Sequence, residues 1–124
     1  SACSVSESPA TLLVCLNMSS PENDRFEANG NFAVNLVAAA DEPVARAFAG
    51  EGRLAPEERF AKAEWDTLQT GAPVLTSALA SFDCRLIEAS VVATHRVLIG
   101  EVVAVRTNPR AASLVYLDRA YRHL

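Results

Sequence analysis

Hydrophobic residues occur along this chain in short runs separated by polar breaks. The uncharged segment Ala10–Leu16 is continuously apolar, which is typical of a strand buried on both faces. A second strand is predicted over 31–38, with Phe32, Val34 and Leu36 on one face. Both runs are too short for membrane spans, which need about 20 apolar residues.

The second half of the chain is dominated by strand patterns. Phe82, Cys84 and Leu86 alternate with Asp83 and Arg85, so we expect a half-exposed strand whose charged residues face solvent. A polar break over 94–96 precedes the long β-branched run 97–105. The Asn108-Pro109 pair predicts a turn, and a last strand is predicted over 114–117, before the basic, aromatic tail 118–124.

Three short helices are predicted between these strands. Each begins near a proline, which suits the first helical turn. The first starts after an N-cap at Ser20 and ends at Asn29-Gly30; the second starts at Asp41 and ends at Gly50 and Gly52; the third starts at Pro56 and ends near Trp65. Strands with short helical insertions favour a mainly antiparallel β-barrel over a doubly wound parallel sheet. The prediction is a single domain over 1–124.

Composition narrows the range of partners. The formal net charge is −4 and the pI is about 5.1, which argues against nucleic acid or an anionic membrane as a partner. No signal peptide is recognisable at the start of the sequence. Cys3, Cys15 and Cys84 have no CxxC spacing, and Cys15 and Cys84 are predicted to be small buried hydrophobes. These features predict a cytoplasmic protein without a membrane segment.

Common catalytic motifs are absent from the sequence. It has no GxGxxG or Walker loop, no GxSxG elbow and no HExxH helix. Its two histidines, His95 and His123, do not form a cluster with metal-ligand spacing. The prediction is therefore no metal site, and an enzyme of this composition would rely on a bound cofactor.

A family resemblance takes the interpretation further. Segments in the order and spacing of the flavin reductase-like family cover nearly the whole chain. They are Cys3-Ser4-Val5-Ser6, Pro9, 12–17 with Ser19-Ser20, 31–36, 45–50, 58–60 with Trp65, 71–75, 78–80, Cys84-Arg85, Thr94-His95, 100–102 and 114–121. Within the family, Thr94-His95 and 118–121 are most similar to the reductase components of 4-hydroxyphenylacetate hydroxylase and of the pyrimidine-utilisation monooxygenase.

Two departures accompany the resemblance. Family members begin with a helix and two strands before a Thr-Ala-Ser segment, whereas this sequence starts at Ser1-Ala2. The chain is therefore expected to lack the family's amino-terminal helix and first strands. In addition, many members have Gly-Asp-His where this chain has Ala93-Thr94-His95, so the conformational freedom of glycine is lost at that turn.

The resemblance implies the FMN-binding split-barrel fold and a flavin site. By the resemblance, Ser1, Ala2, Ser4 and Val5 meet the isoalloxazine ring and ribityl chain; an ordinary polar strand edge is the alternative. Asn17, Ser19 and Ser20 lie where a strand ends and a helix begins. Free backbone N–H groups and two hydroxyls there are expected to hold a phosphate, although simple helix capping by Ser20 would also account for them.

The resemblance also implies a dinucleotide site. It places His95 near the nicotinamide, as the catalytic residue, with Arg119 at a pyrophosphate and Tyr121 stacked on a ring. The alternative for His95 is a solvated turn histidine. The alternative for Arg119 and Tyr121 is packing against a dimer mate.

The implied activity is reduction of FMN or FAD by NADH or NADPH. Reduced flavin would then pass to a partner monooxygenase, and the protein would be a homodimer. The alternatives are a flavin-binding split-barrel carrier without reductase activity and a pyridoxamine-phosphate-oxidase-like enzyme. The latter is disfavoured because no arginine and lysine set is placed for a second phosphate. The sequence does not decide whether the flavin is FMN or FAD, whether the reductant is NADH or NADPH, or which oxygenase is the partner.

Overall fold

The computed structural model describes residues 1–108 and 111–124, and strands make up most of its regular structure, as predicted. The strands are β1 (Ala2–Glu7), β2 (Ala10–Asn17), β3 (Asn31–Leu36), β4 (Trp65–Asp66), β5 (Val74–Leu75), β6 (Ala80–Val92), β7 (His95–Thr107), β8 (Leu114–Leu117) and β9 (Ala120–His123). The helices are α1 (Asp24–Asn29), α2 (Glu42–Phe48) and α3 (Pro56–Phe60), with 3₁₀ turns at Pro21–Asn23, Ala39–Asp41 and Glu51–Arg53.

The chain forms two compact units. The first contains residues 1–34, 67–72 and 82–105, and the second contains 35–66, 73–81 and 106–124. Among the described residues, no helix is long and apolar enough to cross a membrane.

A five-stranded sheet, in the order β1-β2-β7-β6-β3, organises the first unit. β2 pairs with β1 on one side and with β7 on the other, both antiparallel, and its pairing with β7 runs from Thr11 opposite Glu101 to Asn17 opposite His95. The predicted strand over 10–16 is confirmed. The expectation that it is buried on both faces is wrong, because only Thr11 is fully buried and the next five residues are half-buried.

Phe32, Cys84 and Leu98 form the buried centre of this unit. Gly100 in β7 lies directly against two of them. A Cβ at Gly100 would come within 2.6 Å of the Phe32 ring and 2.9 Å of the Cys84 Cβ, so the packing requires glycine there. Burial raises the pKa of the Cys84 thiol to about 11, which keeps it protonated and inert at neutral pH. Cys15 is only half-buried, and Cys3 is exposed.

Asp83 departs from the predicted alternation of β6. Its side chain was expected in solvent, but the residue is 0% exposed. The carboxylate accepts the backbone N–H groups of Gln69 and Thr70, each at 2.8 Å, and the Thr70 hydroxyl. Residues 67–72 thus supply donors that compensate the buried charge. The period of two along β6 could not reveal this segment, which lies elsewhere in the sequence.

The second unit contains α2 and α3 with two small strand pairs, β4-β5 and β8-β9. Phe48, Phe60 and Trp65 pack edge to face, with ring centroids 5.0 to 5.6 Å apart. β8 was predicted, but the tail that follows it was not predicted as a strand. Residues 120–123 turn back as β9, with Tyr116 opposite Tyr121.

The first two helices end where the sequence predicted, and the third ends earlier. α1 ends at Gly30, which has φ +73°, and Gly50 and Gly52 follow α2 with φ of +102° and +78°. The third helix ends at Phe60, earlier than predicted, and Trp65 begins β4. Pro109, in the predicted Asn108-Pro109 turn, lies outside the described residues.

Two hairpin loops hold non-glycine residues in the left-handed region. Ala93, between β6 and β7, has φ +52°, and Asp118 and Arg119, between β8 and β9, have φ of +52° and +60°. Two-residue hairpin loops favour glycine or asparagine at such positions because a Cβ is strained there. The glycine expected from the family at Ala93 would relieve this strain.

We predict that Ala93→Gly stabilises the protein. A non-glycine residue in the left-handed conformation costs the folded state about 1 to 2 kcal/mol, and glycine removes that cost. This gain exceeds the loss of about 0.5 to 1 kcal/mol that arises because glycine has more conformational entropy in the unfolded state. The expected net gain of about 0.5 to 1 kcal/mol corresponds to a rise in Tm of about 2 to 5 °C by calorimetry. Ala104→Gly, inside β7, is the control and should lower the Tm. A lower Tm for Ala93→Gly as well would contradict the account.

Candidate functional site

β1 forms an exposed edge of the five-stranded sheet. All six of its residues are exposed, and among the residues described here no strand pairs with its outer side. The Cys15 N–H donates to the Ser1 carbonyl at 2.9 Å. Because antiparallel ladders alternate, the backbone groups of Ala2 and Ser4 therefore point away from β2, toward the open edge.

An irregularity interrupts β1 at the predicted flavin segment. Ser4 lies opposite Leu12 and Ser6 lies opposite Thr11, so Val5 has no partner in β2. Val5 is 53% exposed. A bulge of this kind re-aims the strand edge and is over-represented next to active sites. Ser1, Ala2, Ser4 and Val5 thus lie together along one accessible edge.

The turn after β2 uses its backbone donors internally. The Asn17 side-chain oxygen accepts the Ser19 N–H at 2.9 Å. The Asn17 backbone carbonyl accepts the Ser20 N–H at 3.4 Å and the side-chain amide of Asn23 at 2.8 Å. The Ser20 hydroxyl donates to the Glu22 carboxylate. The expectation of free N–H groups at Ser19 and Ser20 is therefore wrong.

Ser20 does occupy the N-cap position, before Pro21, but its side chain makes no capping hydrogen bond. Its hydroxyl is directed to Glu22 instead. The exposed polar side chains of this turn are those of Asn17, whose oxygen accepts the Ser19 N–H, and Ser19.

His95 is the first residue of β7 and lies opposite Asn17. The Met18 N–H donates to the Thr94 carbonyl at 3.1 Å, which ties the two chain segments together. The half-buried His95 ring has its Nδ1 2.9 Å from the Thr94 hydroxyl. Ser1, Asn17 and His95 thus lie at the same end of the sheet: Ser1 is hydrogen-bonded to Cys15 in β2, and Asn17, two residues further along β2, lies opposite His95. The sequence resemblance had implied these three residues separately.

Arg119 and Tyr121 lie in the second unit, on the β8-β9 hairpin. Both line a cavity of about 570 Å³, whose other lining residues are Arg46, Ala49, Glu51 and Tyr116. The Tyr116 and Tyr121 rings lie 5.0 Å apart between centroids. The Arg46 guanidinium lies over the Tyr121 ring, 4.6 Å from its centroid, a cation–π contact.

A chain of charged contacts fixes Arg46. Its Nε donates to Glu42 at 2.8 Å, and the other Glu42 oxygen lies 2.8 Å from His123 Nε2. The hydrogen bonds from Arg46 and then His123 lower the pKa of Glu42, and Glu42 raises the pKa of Arg46. Sequence reasoning missed this group. The i,i+4 spacing of Glu42 and Arg46 is a recognisable signal, but the approach of His123 from β9 is not visible in the sequence.

No cluster of three or more His, Cys, Asp or Glu side chains suited to a metal ion occurs within 1–108 and 111–124.

Comparison with known proteins identifies the family. The flavin reductase like domain matches residues 1–124. FMN reductase (NADH) RutF 2 of Methylorubrum extorquens is 49% identical over 124 residues, which are 100% of this chain and 71% of that protein. Across the curated relatives compared, the chain spans 63% to 73% of their length.

Solved structures of similar proteins support the same family assignment. A candidate flavin reductase of Haemophilus somnus superposes with a TM-score of 0.93 at 39% identity, covering 99% of this chain and 78% of that one. BorF, the flavin reductase component of a bacterial two-component tryptophan halogenase, superposes with a TM-score of 0.88 at 30% identity, covering 99% and 78%. These similarities confirm the split-barrel fold class. With a matching domain over its whole length and a close relative at 49% identity, this chain belongs to the flavin reductase like domain family.

Proposed function

We propose that this chain is an NADH-dependent flavin reductase that supplies reduced flavin to a partner monooxygenase. The observation that carries the proposal is the meeting of the open β1 edge, the turn after Asn17 and His95 at one end of the sheet. Support for the co-substrates comes from the FMN reductase (NADH) relative. Support for a partner enzyme that receives reduced flavin comes from BorF, the flavin reductase component of a two-component tryptophan halogenase.

The β1 edge fits a flavin ring. An isoalloxazine carries alternating carbonyl and N–H groups along one side, which complement the outward backbone groups of Ala2 and Ser4. Ser1 and Val5 extend this edge on either side. The exposed Asn17 and Ser19 side chains would meet the phosphate end, and a phosphate that took up the Ser19 and Ser20 N–H groups would displace Asn17 from them.

A bound flavin would supply the redox chemistry as the acceptor of a hydride from NADH. The chain contributes orientation and polarity. The Thr94 hydroxyl contacts Nδ1 of His95, and no described residue forms a hydrogen bond with Nε2. In this proposal Nε2 donates to the nicotinamide carboxamide or stabilises negative charge at the ring. Arg119 would meet the pyrophosphate, and Tyr121 would stack on a ring of the dinucleotide.

We propose further that the protein is a homodimer acting in the cytoplasm. Ile87 and Val91, four residues apart on one side of β6, are 56% and 57% exposed, and the neighbouring Val92 is 59% exposed. Apolar side chains grouped on an exposed strand favour an interface. A second subunit would cover this exposed strand surface.

The first prediction from this proposal concerns cofactor dependence. The purified protein should oxidise NADH only when FMN or FAD is added or retained, and a chelator should leave that rate unchanged. Anaerobic absorbance of NADH, with and without flavin and chelator, measures both effects. Flavin binding without NADH oxidation would replace the proposal with a flavin carrier, and loss of activity with the chelator would overturn it.

The second prediction concerns His95. If the imidazole orients the nicotinamide, His95→Ala should slow single-turnover flavin reduction by about tenfold to a thousandfold, or about 1.4 to 4 kcal/mol of transition-state stabilisation. The flavin Kd and the Tm should barely change, because the ring and phosphate contacts lie at Ser1–Val5 and Asn17–Ser20. Arg85→Ala, on the surface of β6, is the control. Unchanged hydride transfer in a folded, flavin-loaded His95→Ala variant would remove the histidine from the mechanism.

The third prediction concerns the subunit interface. Sedimentation should show a dimer, and Val91→Lys should convert it toward monomer, because a charge cannot be buried there without a partner. Val91→Thr, close to valine in shape, should remain largely dimeric. A stable monomer that still turns over NADH would contradict the proposed dimer.

A further inference from the structure

Resting on the proposed function, we infer that Arg96 is a positioning residue of the flavin site. It clamps α1 against β7 and thereby fixes the turn 18–23, which the flavin phosphate would meet. The sequence analysis placed Arg96 in a polar break and assigned it no role. Arg96 directly follows His95 in the sequence, but it acts on the other side of the sheet.

The guanidinium of Arg96 joins β7 to α1. Its Nη2 donates to Asp24 Oδ1 at 3.1 Å, and its Nη1 donates to Glu27 Oε2. Asp24 and Glu27 are three residues apart and lie on the same side of α1, so one planar guanidinium reaches both carboxylates. The Arg96 side chain is only 21% exposed, and solvent screens a sheltered charge less than an open one. These two ion pairs are called the Arg96 clamp below.

The amino end of α1 depends on this clamp. The helix has six residues, none of them fully buried, and Asn23 before it makes no side-chain capping bond. A helix of this length does not form on its own in water. Phe26 packs against the buried cluster, and the carboxyl end runs through Gly30 into β3. The amino end is held to the sheet through Asp24.

The turn 18–23 connects β2 to α1 and is attached to β7 at both ends. Where β2 ends, the Met18 N–H donates to the Thr94 carbonyl at 3.1 Å. Where α1 begins, Asp24 is bound to Arg96. The clamp therefore supplies the second of the two attachments.

A turn held at both ends offers the flavin phosphate a surface that is already formed. The Asn23 side-chain amide donates to the Asn17 carbonyl at 2.8 Å, and Asn23 directly precedes the clamped Asp24. Ser19 and Ser20 lie between these points. Binding to a segment of fixed conformation loses less conformational entropy, so the clamp raises the affinity for the phosphate end of the flavin.

Arg96 and His95 serve opposite sides of the sheet. Arg96 lies opposite Leu16, which packs against the buried cluster, whereas His95 lies opposite Asn17. Successive residues of a strand face opposite sides, so Arg96 acts through the turn and not on the nicotinamide. Arg96 should govern flavin affinity, whereas His95 should govern the rate of hydride transfer.

The Nε–H of Arg96 is buried and has no hydrogen-bond partner among the described residues. An unpaired buried donor costs stability, and apolar side chains could hold α1 without that cost. The clamp is therefore better explained by the orientation that it gives to the turn than by the stability of the fold.

The test compares binding of FMN and of riboflavin, which lacks the phosphate, to the full-length protein by flavin fluorescence. Arg96→Met should weaken FMN binding by about tenfold and leave riboflavin binding unchanged. The flavin-saturated rate of hydride transfer should also stay unchanged, in contrast to His95→Ala. Arg85→Met is the matched control, because Arg85 pairs with Glu101 and not with α1. Equal losses of FMN and riboflavin binding in Arg96→Met would indicate a general loss of structure and overturn the inference.

A second variant separates positioning from charge. Asp24→Asn with Glu27→Gln breaks the same clamp but removes two negative charges, where Arg96→Met removes a positive one. A purely electrostatic effect would strengthen FMN binding, whereas the loss of positioning should weaken it by about threefold to tenfold. Glu57→Gln with Glu64→Gln, two exposed carboxylates of the second unit, is the control and should leave the FMN Kd unchanged. Tighter or unaltered FMN binding in Asp24→Asn/Glu27→Gln would overturn the inference.

The flavin-free protein gives an independent readout. The Ser20 and Asn23 N–H groups are bonded within the turn, and their hydrogen exchange should accelerate by about tenfold in Arg96→Met. Exchange at the buried Leu98 should stay slow, which shows that the variant is folded. Arg96→Lys keeps the charge and one of the two ion pairs, so it should fall between wild type and Arg96→Met. Unchanged exchange in the turn would overturn the inference.

NADH oxidation by the wild-type protein is measured on the same preparation. FMN binding that depends on the clamp, without NADH oxidation, would keep the inference and reject the proposed function. Normal FMN reduction with an unaltered FMN Kd in both clamp variants would do the reverse.

Discussion

The pairing of β2 with β7 determines where the chain's polar groups meet. Seven consecutive pairs, from Thr11–Glu101 to Asn17–His95, place the histidine opposite the residue that organises the following turn. A slip of one residue would reverse the facing of every side chain in β2. It would also turn Leu12, Val14 and Leu16 away from the buried cluster of Phe32, Cys84 and Leu98, against which they pack. The buried core and the candidate flavin site therefore depend on one register.

The chemistry follows from this arrangement with few specialised side chains. The open β1 edge offers backbone groups, the Asn17 turn offers small polar side chains, and His95 offers one imidazole nitrogen. Such a site would hold a flavin through a few hydrogen bonds, which suits a cofactor that must leave after reduction. The turn that would meet the phosphate already satisfies its own N–H groups, so flavin binding there would exchange hydrogen bonds, and we expect a modest net affinity.

The sequence predicted the elements whose signals are local. The apolar run of β2, the β-branched run of β7 and the glycine that ends α1 all lie where expected. Features that depend on distant segments were missed. Asp83 is buried because Gln69 and Thr70 donate to it, and β9 forms only because the tail can pair with β8. Similarly, His123 reaches Glu42 from the far end of the chain, which no periodicity records.

The central claim is hydride transfer from NADH to a flavin held by this chain. Anaerobic stopped-flow mixing of the flavin-loaded protein with NADH deuterated at the transferred C4 position tests it most directly. The account predicts loss of the oxidised flavin's visible absorption in a single turnover, slowed by the deuterium relative to ordinary NADH. Flavin that stays bound and oxidised in the presence of NADH would contradict the claim.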